Sequence, residues 1–144
     1  MPLLNYTTTV PVSRSIADVH KALVKAKARA IQTEYDDDGA PSSVAFSVDT
    51  AYGLRFFTLP VNAERVWRIL QRDPKVKNAQ ATMEHAHRVA WRIVKDWLEA
   101  QLAILEAGMV TFDQVMLPYM HAEGKVTMYE MYCDRQLALP AGPT

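Results

Sequence analysis

The stretch RVAWRIVKDWLEAQLAILEA, residues 88–107, decides the fold of this chain. Placed at about 100° per residue, its apolar side chains cover well over half of the helix circumference, and only Gln101 interrupts them. An ordinary surface helix carries an apolar stripe of about 100°. This helix must therefore be covered from more than one side. It is either the central helix of the domain or has part of its arc in an oligomer interface.

The chain on both sides of this stretch is also helical. We expect the long helix to run from about Met83 to Ala107, with Gly108 just past its end. Three shorter helices are predicted from their start and stop signals, namely Asn62 to Pro74, Thr111 with Gln114 to Pro118, and Thr127 with Glu130 to about Gln136. Residues 62–138 therefore form a helical half, in which residues 73–82 are a polar linker.

The first half, residues 1–61, predicts a small sheet with one helix. Larger side chains alternate along segments 4–12, 31–35 and 44–48, which is the periodicity of strands, and the short aromatic-rich run 54–59 predicts a fourth strand. A helix capped by Ser15 and Asp18 and ending near Lys27 separates the first two. The turn-forming sequences DDDGAP and TAYG predict antiparallel hairpins. We therefore expect an α+β fold of order β-α-β-β-β followed by helices, as one domain over residues 1–138, with a disordered tail at 139–144.

Composition and motifs argue against several classes of protein. Cys133 is the only cysteine, and no signal peptide or uncharged apolar run of membrane-spanning length is present, which favours a cytoplasmic protein with no membrane partner. The DDDG run at 36–39 has Ser47 where a calcium loop needs a glutamate. The sequence also contains no glycine-rich phosphate loop and no nucleophile with a base beside it. We expect a non-enzymatic protein without cofactor or metal.

The formal net charge of zero conceals a strong segregation of charge. Residues 65–95 contain eight Lys or Arg against two acids, whereas residues 96–144 contain two against seven. Such a basic block needs an anionic partner, which is a phosphate-bearing ligand, a nucleic acid or the acidic segment of another copy.

The first three arginines of this block form the strongest candidate site. Arg65, Arg68 and Arg72 fall at helical positions 0, 3 and 7, so that one face presents three guanidinium groups suited to bidentate phosphate contact. A nucleotide site would add Arg88 and Arg92, with Trp67 stacking on the base. A nucleic-acid site would instead extend through Lys75 and Lys77. The acidic neighbouring segment weighs against a long polyanion.

The polar stripe of the long helix suggests a second use for the basic residues. Its bases, Arg88, Arg92 and Lys95, precede its acids, Glu99 and Glu106, which is the reverse of what the helix dipole favours. Antiparallel pairing of two copies about Trp97 would join the two sets in a homo-oligomer. The alternative is a solvated stripe with i,i+4 pairs such as Glu84–Arg88.

Methionine and tyrosine are concentrated in the last third of the chain, at positions 109, 116, 119, 120, 128, 129, 131 and 132. Methionine packs adaptably and tyrosine combines an apolar ring with a polar tip. This mixture is typical of a ligand-lined groove or an interface, and equally of the filling of a small core.

Two segments carry a resemblance to a known group of proteins. The opening MPLLNYTTTVPV and the segment AHRVAWRIVKDWLEAQLAILEAGMVTFDQVMLPYM, residues 86–120, resemble small uncharacterised phage and prophage proteins. The resemblance implies a phage-encoded protein acting in the bacterial cytoplasm. We therefore expect a counter-defence binding protein that sequesters a nucleotide-type signal or inhibits a host defence protein. The alternatives are a nucleic-acid-binding accessory protein and a structural or assembly component.

Overall fold

The computed structural model describes residues 2–135 and confirms the α+β class. Ten helices and strands in this range are labelled in chain order: α1 (Val12–Lys25), β1 (Ala30–Tyr35), β2 (Pro41–Thr50), β3 (Gly53–Pro60), α2 (Ala63–Arg72), α3 (Met83–Glu106), α4 (Phe112–Met116), β4 (His121–Glu123), β5 (Val126–Thr127) and α5 (Met128–Arg135). Short 3-10 turns at Asn78–Gln80 and Leu117–Tyr119 complete the connections. The predicted tail, residues 139–144, lies outside the described residues.

The three long strands form one antiparallel sheet in the order β1-β2-β3. Phe46 of β2 lies opposite Phe57 of β3, and the two rings stack with their centroids 5.3 Å apart. Phe112 of α4 meets both rings edge-on. The predicted hairpins are therefore confirmed, and one face of the sheet is covered by aromatic packing.

The long helix α3 is the central helix of the described structure. It packs against both α1 and α2. Trp91 is fully buried among the residues of the main core, which include Val19, Leu23 and Leu98. Its indole N–H donates to the carbonyl oxygen of Pro41 at 3.2 Å, which ties α3 to the sheet. The broad apolar arc predicted from the sequence is thus covered from several sides within one chain over most of its length, whereas Ile104 near its end is exposed.

The predicted first strand, residues 4–12, is wrong. Residues 4–7 form turns, and Asn5 adopts a left-handed conformation with φ of 64°, which asparagine tolerates. The Asn5 amide donates to Asp96 at 2.8 Å, and the carbonyl of Tyr6 bonds to His85. The segment is therefore held by polar contacts to α3 instead of by a neighbouring strand, and the order of the first half is α-β-β-β.

One further difference concerns the start of a helix. Helix α1 begins at Val12 after Pro11 and has no side-chain cap, so the predicted Ser15 cap is also wrong. The capping boxes at Thr111 and Thr127 and the Asn62 cap are confirmed. The short hairpin of β4 and β5, which turns at Gly124, had not been predicted.

Within residues 2–135, no helix is both long and apolar enough to span a membrane.

Candidate functional site

Helix α2 presents its arginines on one exposed face. The Asn62 side chain accepts from the Arg65 backbone N–H at 3.1 Å and fixes the start of the helix directly after β3. Leu70 is buried on the opposite face, against Ala86 and Val89 of α3. Arg65, Arg68 and Arg72 therefore point away from α3 and line one shallow depression together with Ile69 and Gln71.

The cations of this region are poorly compensated by acids. We call the five exposed side chains Arg65, Arg68, Arg72, Lys75 and Lys77 the basic α2 surface. Glu64 and Asp73 are the only acids between residues 64 and 77. Arg68 pairs with Glu64 at 2.7 Å, and the other four basic residues make no ion pair with any described residue. The surface therefore retains several cations that can contact an external anion.

Trp67 lies on the inner side of α2. Its ring packs into the small cluster around Leu70, and its indole N–H donates to the carbonyl oxygen of Ala81 at 3.0 Å. This bond fastens the linker 73–82 against α2. Trp67 does not line the depression that contains the arginines. The structure therefore places the tryptophan away from the arginine face, with its polar atom already bonded.

Arg92 belongs to a different place, the groove between α1 and α3. Its guanidinium donates to the Asp18 carboxylate at 3.0 Å and to the Ser15 hydroxyl at 3.2 Å, and only 18% of the side chain is exposed. The hydrogen bond from Arg92 lowers the pKa of Asp18, as does the charge of Arg14. Arg92 is therefore a structural link between the two helices.

Arg88 and Lys95 also have partners in the same chain. Arg88 contacts Glu84 at 3.2 Å and donates to Nδ1 of the buried His85. Because Nδ1 accepts this bond, Nε2 carries the proton that His85 donates to the Tyr6 carbonyl. Lys95 contacts Glu99 at 2.6 Å, and this hydrogen bond raises the pKa of Lys95.

The acids near the end of α3 are also engaged. Glu106 pairs with Lys25 of α1 at 2.9 Å. Trp97, the proposed centre of an antiparallel helix pair, packs against the core and meets Tyr119 edge-on at 5.6 Å. The charges that suggested pairing between two copies therefore have partners within one chain, and self-association stays a prediction.

An acidic pocket borders the start of α2. Asp36 and Asp38 from the β1–β2 turn lie around it with Glu64 and His87. The buried Nδ1 atom of His87 has no hydrogen-bond partner among the described residues. Anions approaching the basic α2 surface are therefore repelled at this end and favoured toward Arg72, Lys75 and Lys77.

A further concave site was not assigned from the sequence. It lies between the sheet and the last hairpin, where Tyr119, Tyr129, Pro60 and Pro118 provide apolar walls. The concentration of Met and Tyr was the nearest sequence signal for it, and of that set two tyrosines line the site. Met116 is buried in the core, whereas Tyr129 is 59% exposed.

Comparison with protein-family models, with curated proteins and with solved structures finds no match to this chain.

Proposed function

We propose that this protein is a non-enzymatic nucleic-acid-binding accessory protein that contacts phosphate groups through the basic α2 surface. The observation that carries the proposal is the difference in charge compensation between the two helices. Each basic residue of α3 has an acidic partner, whereas Arg65, Arg72, Lys75 and Lys77 have none within residues 2–135. A cation without an acidic partner can neutralise a phosphate, and the counterions condensed on the nucleic acid are then released.

The shape of the surface favours an extended anion over a compact ligand. A small-molecule site normally encloses most of its ligand, but the depression at Arg65, Arg68 and Arg72 is lined by α2 alone. Trp67, the candidate for stacking on a base, is turned inward. Contacts from this surface would therefore go to phosphates, which position a nucleic acid without specifying its sequence.

The resemblance to small phage proteins supports a wider context for this activity. We place the protein in the cytoplasm of a bacterial host, encoded by a phage. Coating or occupying nucleic acid there would serve either phage replication or protection from a host defence system. In this context the protein leaves its ligand chemically unchanged.

The salt dependence of binding tests the proposal. A labelled duplex and a labelled single strand of about 20 nucleotides are titrated with the protein between 50 and 200 mM salt. If three to five phosphates are contacted, log K for the duplex falls with log salt with a slope of about −3 to −4.5. Recovery of intact oligonucleotide after denaturation checks that no cleavage occurs.

Matched variants test whether binding depends on the basic α2 surface or on the overall charge of the protein. Arg72→Gln and Lys75→Gln should each reduce the magnitude of the slope by about one. Arg29→Gln is the control, because Arg29 is exposed and already pairs with Asp49 at 2.7 Å. Absence of binding to either oligonucleotide at 50 mM salt contradicts the proposal, and so does equal loss with Arg29→Gln.

Sequestration of a nucleotide signal is the second candidate, and Ile69 and Gln71 are the observation in its favour. Both lie among the three arginines, where they offer an apolar contact and an amide to a base. The open surface would then need a second copy to enclose the ligand. A thermal-shift panel of mononucleotides, dinucleotides and cyclic nucleotides tests this candidate, with solution mass measured in parallel. A shift with one nucleotide, together with dimer formation and no oligonucleotide binding, favours it over the first.

A further inference from the structure

The groove between the sheet and the C-terminal hairpin is separate from the basic α2 surface, and its chemistry is the opposite. We call it the aromatic groove and define it by Glu34, Thr58, Tyr119, Lys125, Tyr129 and Glu130, with Pro60 and Pro118 in its walls. This concave site has a volume of about 670 Å³. Exposed tyrosine next to such a concavity is typical of surfaces that bind a partner.

Two carboxylates in the groove are each fixed through one oxygen atom. Oε1 of Glu34 accepts from the Ser43 hydroxyl at 2.8 Å. Oε1 of Glu130 accepts from the Thr127 backbone N–H at 3.2 Å and from its hydroxyl at 3.1 Å. These bonds restrict the rotamers of both side chains, so both carboxylates are held in place before any ligand arrives.

The second oxygen of each carboxylate is available. Oε2 of Glu130 has no hydrogen-bond partner among residues 2–135, and Oε2 of Glu34 has only the Lys125 ammonium at 4.0 Å. The Lys125 side chain is 89% exposed, so it competes weakly for that oxygen. With two carboxylates against one ammonium, the groove carries a formal charge of −1 and selects for a cation.

The aromatic rings define which cation fits. Tyr119 is fixed by its edge-on contact with Trp97, and Tyr129, which also lines the groove, is exposed. A guanidinium group stacks on aromatic faces and bonds to carboxylate oxygens through its fork of N–H donors. An ammonium group makes the charge contact without the planar stacking. The combination therefore fits arginine better than lysine.

We propose that the aromatic groove binds an arginine side chain presented by a proline-rich segment of a partner protein. The two prolines and two tyrosines of the walls offer the type of apolar surface on which extended proline-rich segments dock. The arginine then enters between Tyr129, Glu34 and Glu130. This site would recruit a protein partner independently of the basic α2 surface.

Peptide titration followed by NMR tests this assignment. The ¹⁵N-labelled protein is titrated with acetyl-Ala-Pro-Pro-Arg-Pro-Ala-amide and with the same peptide carrying Lys, Leu or Glu in place of Arg. The Arg peptide should shift the amide signals of Thr58, Lys125 and Glu130 and bind at least tenfold more tightly than the Glu peptide, with the Lys peptide between them.

Variants then locate the site. Tyr129→Ala and Glu34→Gln should each weaken binding of the Arg peptide by about fivefold to tenfold. Tyr52→Ala is the control, because Tyr52 is an exposed tyrosine in the turn between β2 and β3 and does not line the groove. Tyr129 is itself exposed, and unchanged circular dichroism confirms that the variant folds.

Each other result overturns the proposal. No shift up to 10 mM peptide, equal binding of the Arg and Glu peptides, or shifts confined to α2 would each exclude an arginine site in this groove. Concentration-dependent shifts of the groove amides without peptide, abolished by Arg68→Glu, would assign the groove to a second copy of this chain.

Discussion

Helices α2 and α3 both carry arginines in the basic part of the sequence, yet the structure uses those arginines differently. On α3, Arg88 and Arg92 are largely buried and each contacts an acid of the same chain. On α2, Arg65 and Arg72 are exposed and make no ion pair within the described part of the chain. Local charge density is therefore a poor measure of binding capacity. The available charge is what remains after pairing within the fold.

Helix α1 explains the unusual order of charges along α3. Along α1 the acid Asp18 precedes the base Lys25. Asp18 pairs with the base Arg92 of α3, and Lys25 pairs with Glu106, an acid further along α3. The complementary pattern thus lies on a neighbouring helix of the same chain. A second copy is not needed to offset charges that the helix dipole disfavours.

The largest expected effect is on stability, and it distinguishes α3, which packs in the core, from α2, which presents the basic surface. Trp91→Ala removes a fully buried ring and leaves the Pro41 carbonyl without its donor, so the free energy of unfolding should fall by about 3–5 kcal/mol. Urea denaturation followed by circular dichroism measures this loss. Arg65→Gln on α2 is the comparison and should change stability by less than about 0.5 kcal/mol. Similar losses in the two variants would contradict the division.

Two substitutions with opposite expected effects test whether the arginines of α2 bind the ligand while those of α3 stabilise the fold. Arg72→Gln should weaken duplex binding about tenfold at 50 mM salt without lowering the melting temperature, because one phosphate contact is lost. Arg92→Gln should lower the melting temperature, because Ser15 loses its donor and Asp18 keeps only the exposed Arg14, and leave the affinity unchanged. Anisotropy titration and thermal melting of the same samples give both values. Loss of affinity in Arg92→Gln would show that the α1–α3 groove also contacts the ligand.

The Asp18–Arg92 contact also predicts a dependence of stability on pH. The pKa of Asp18 in the folded protein lies below its ordinary value, chiefly because Arg92 donates to it. The contribution is therefore fully present above the unfolded pKa of about 3.9 and is lost as the pH falls through the lower folded value. Urea denaturation of the native chain and of Asp18→Asn between pH 3 and 6 measures it. The difference between the two should shrink toward the acid end, and a constant difference would contradict it.

The sequence predicted most of the secondary structure because the signals were local. Asn62, Thr111 and Thr127 cap their helices as expected, and the alternating apolar residues of β2 face a buried core. The segment 4–12 failed because alternation alone does not show whether a strand neighbour exists. There Asn5 and Tyr6 bond to side chains of α3, about eighty to ninety residues away in sequence.

The candidate site was predictable only in part, for a related reason. Helical spacing correctly grouped Arg65, Arg68 and Arg72 on one face. It gave no means of knowing that Asp18, which is distant in sequence, would engage Arg92, or that Trp67 would bond to Ala81. The aromatic groove was missed because Glu34 comes from β1 and Tyr129 from α5, and no local motif joins them.

The smallest expected effect tests whether pairing within the chain limits the available charge. Glu64→Gln removes the partner of Arg68, so stability should fall by only about 0.2–0.5 kcal/mol while affinity for the duplex rises about twofold. Glu84→Gln is the matched control, because Glu84 makes the same i,i+4 contact with Arg88 on α3. Arg88 keeps its bond to the buried His85, so its release should leave affinity unchanged. Equal gains from both substitutions would mean that overall charge governs binding, whereas a gain confined to Glu64→Gln assigns binding to the basic α2 surface.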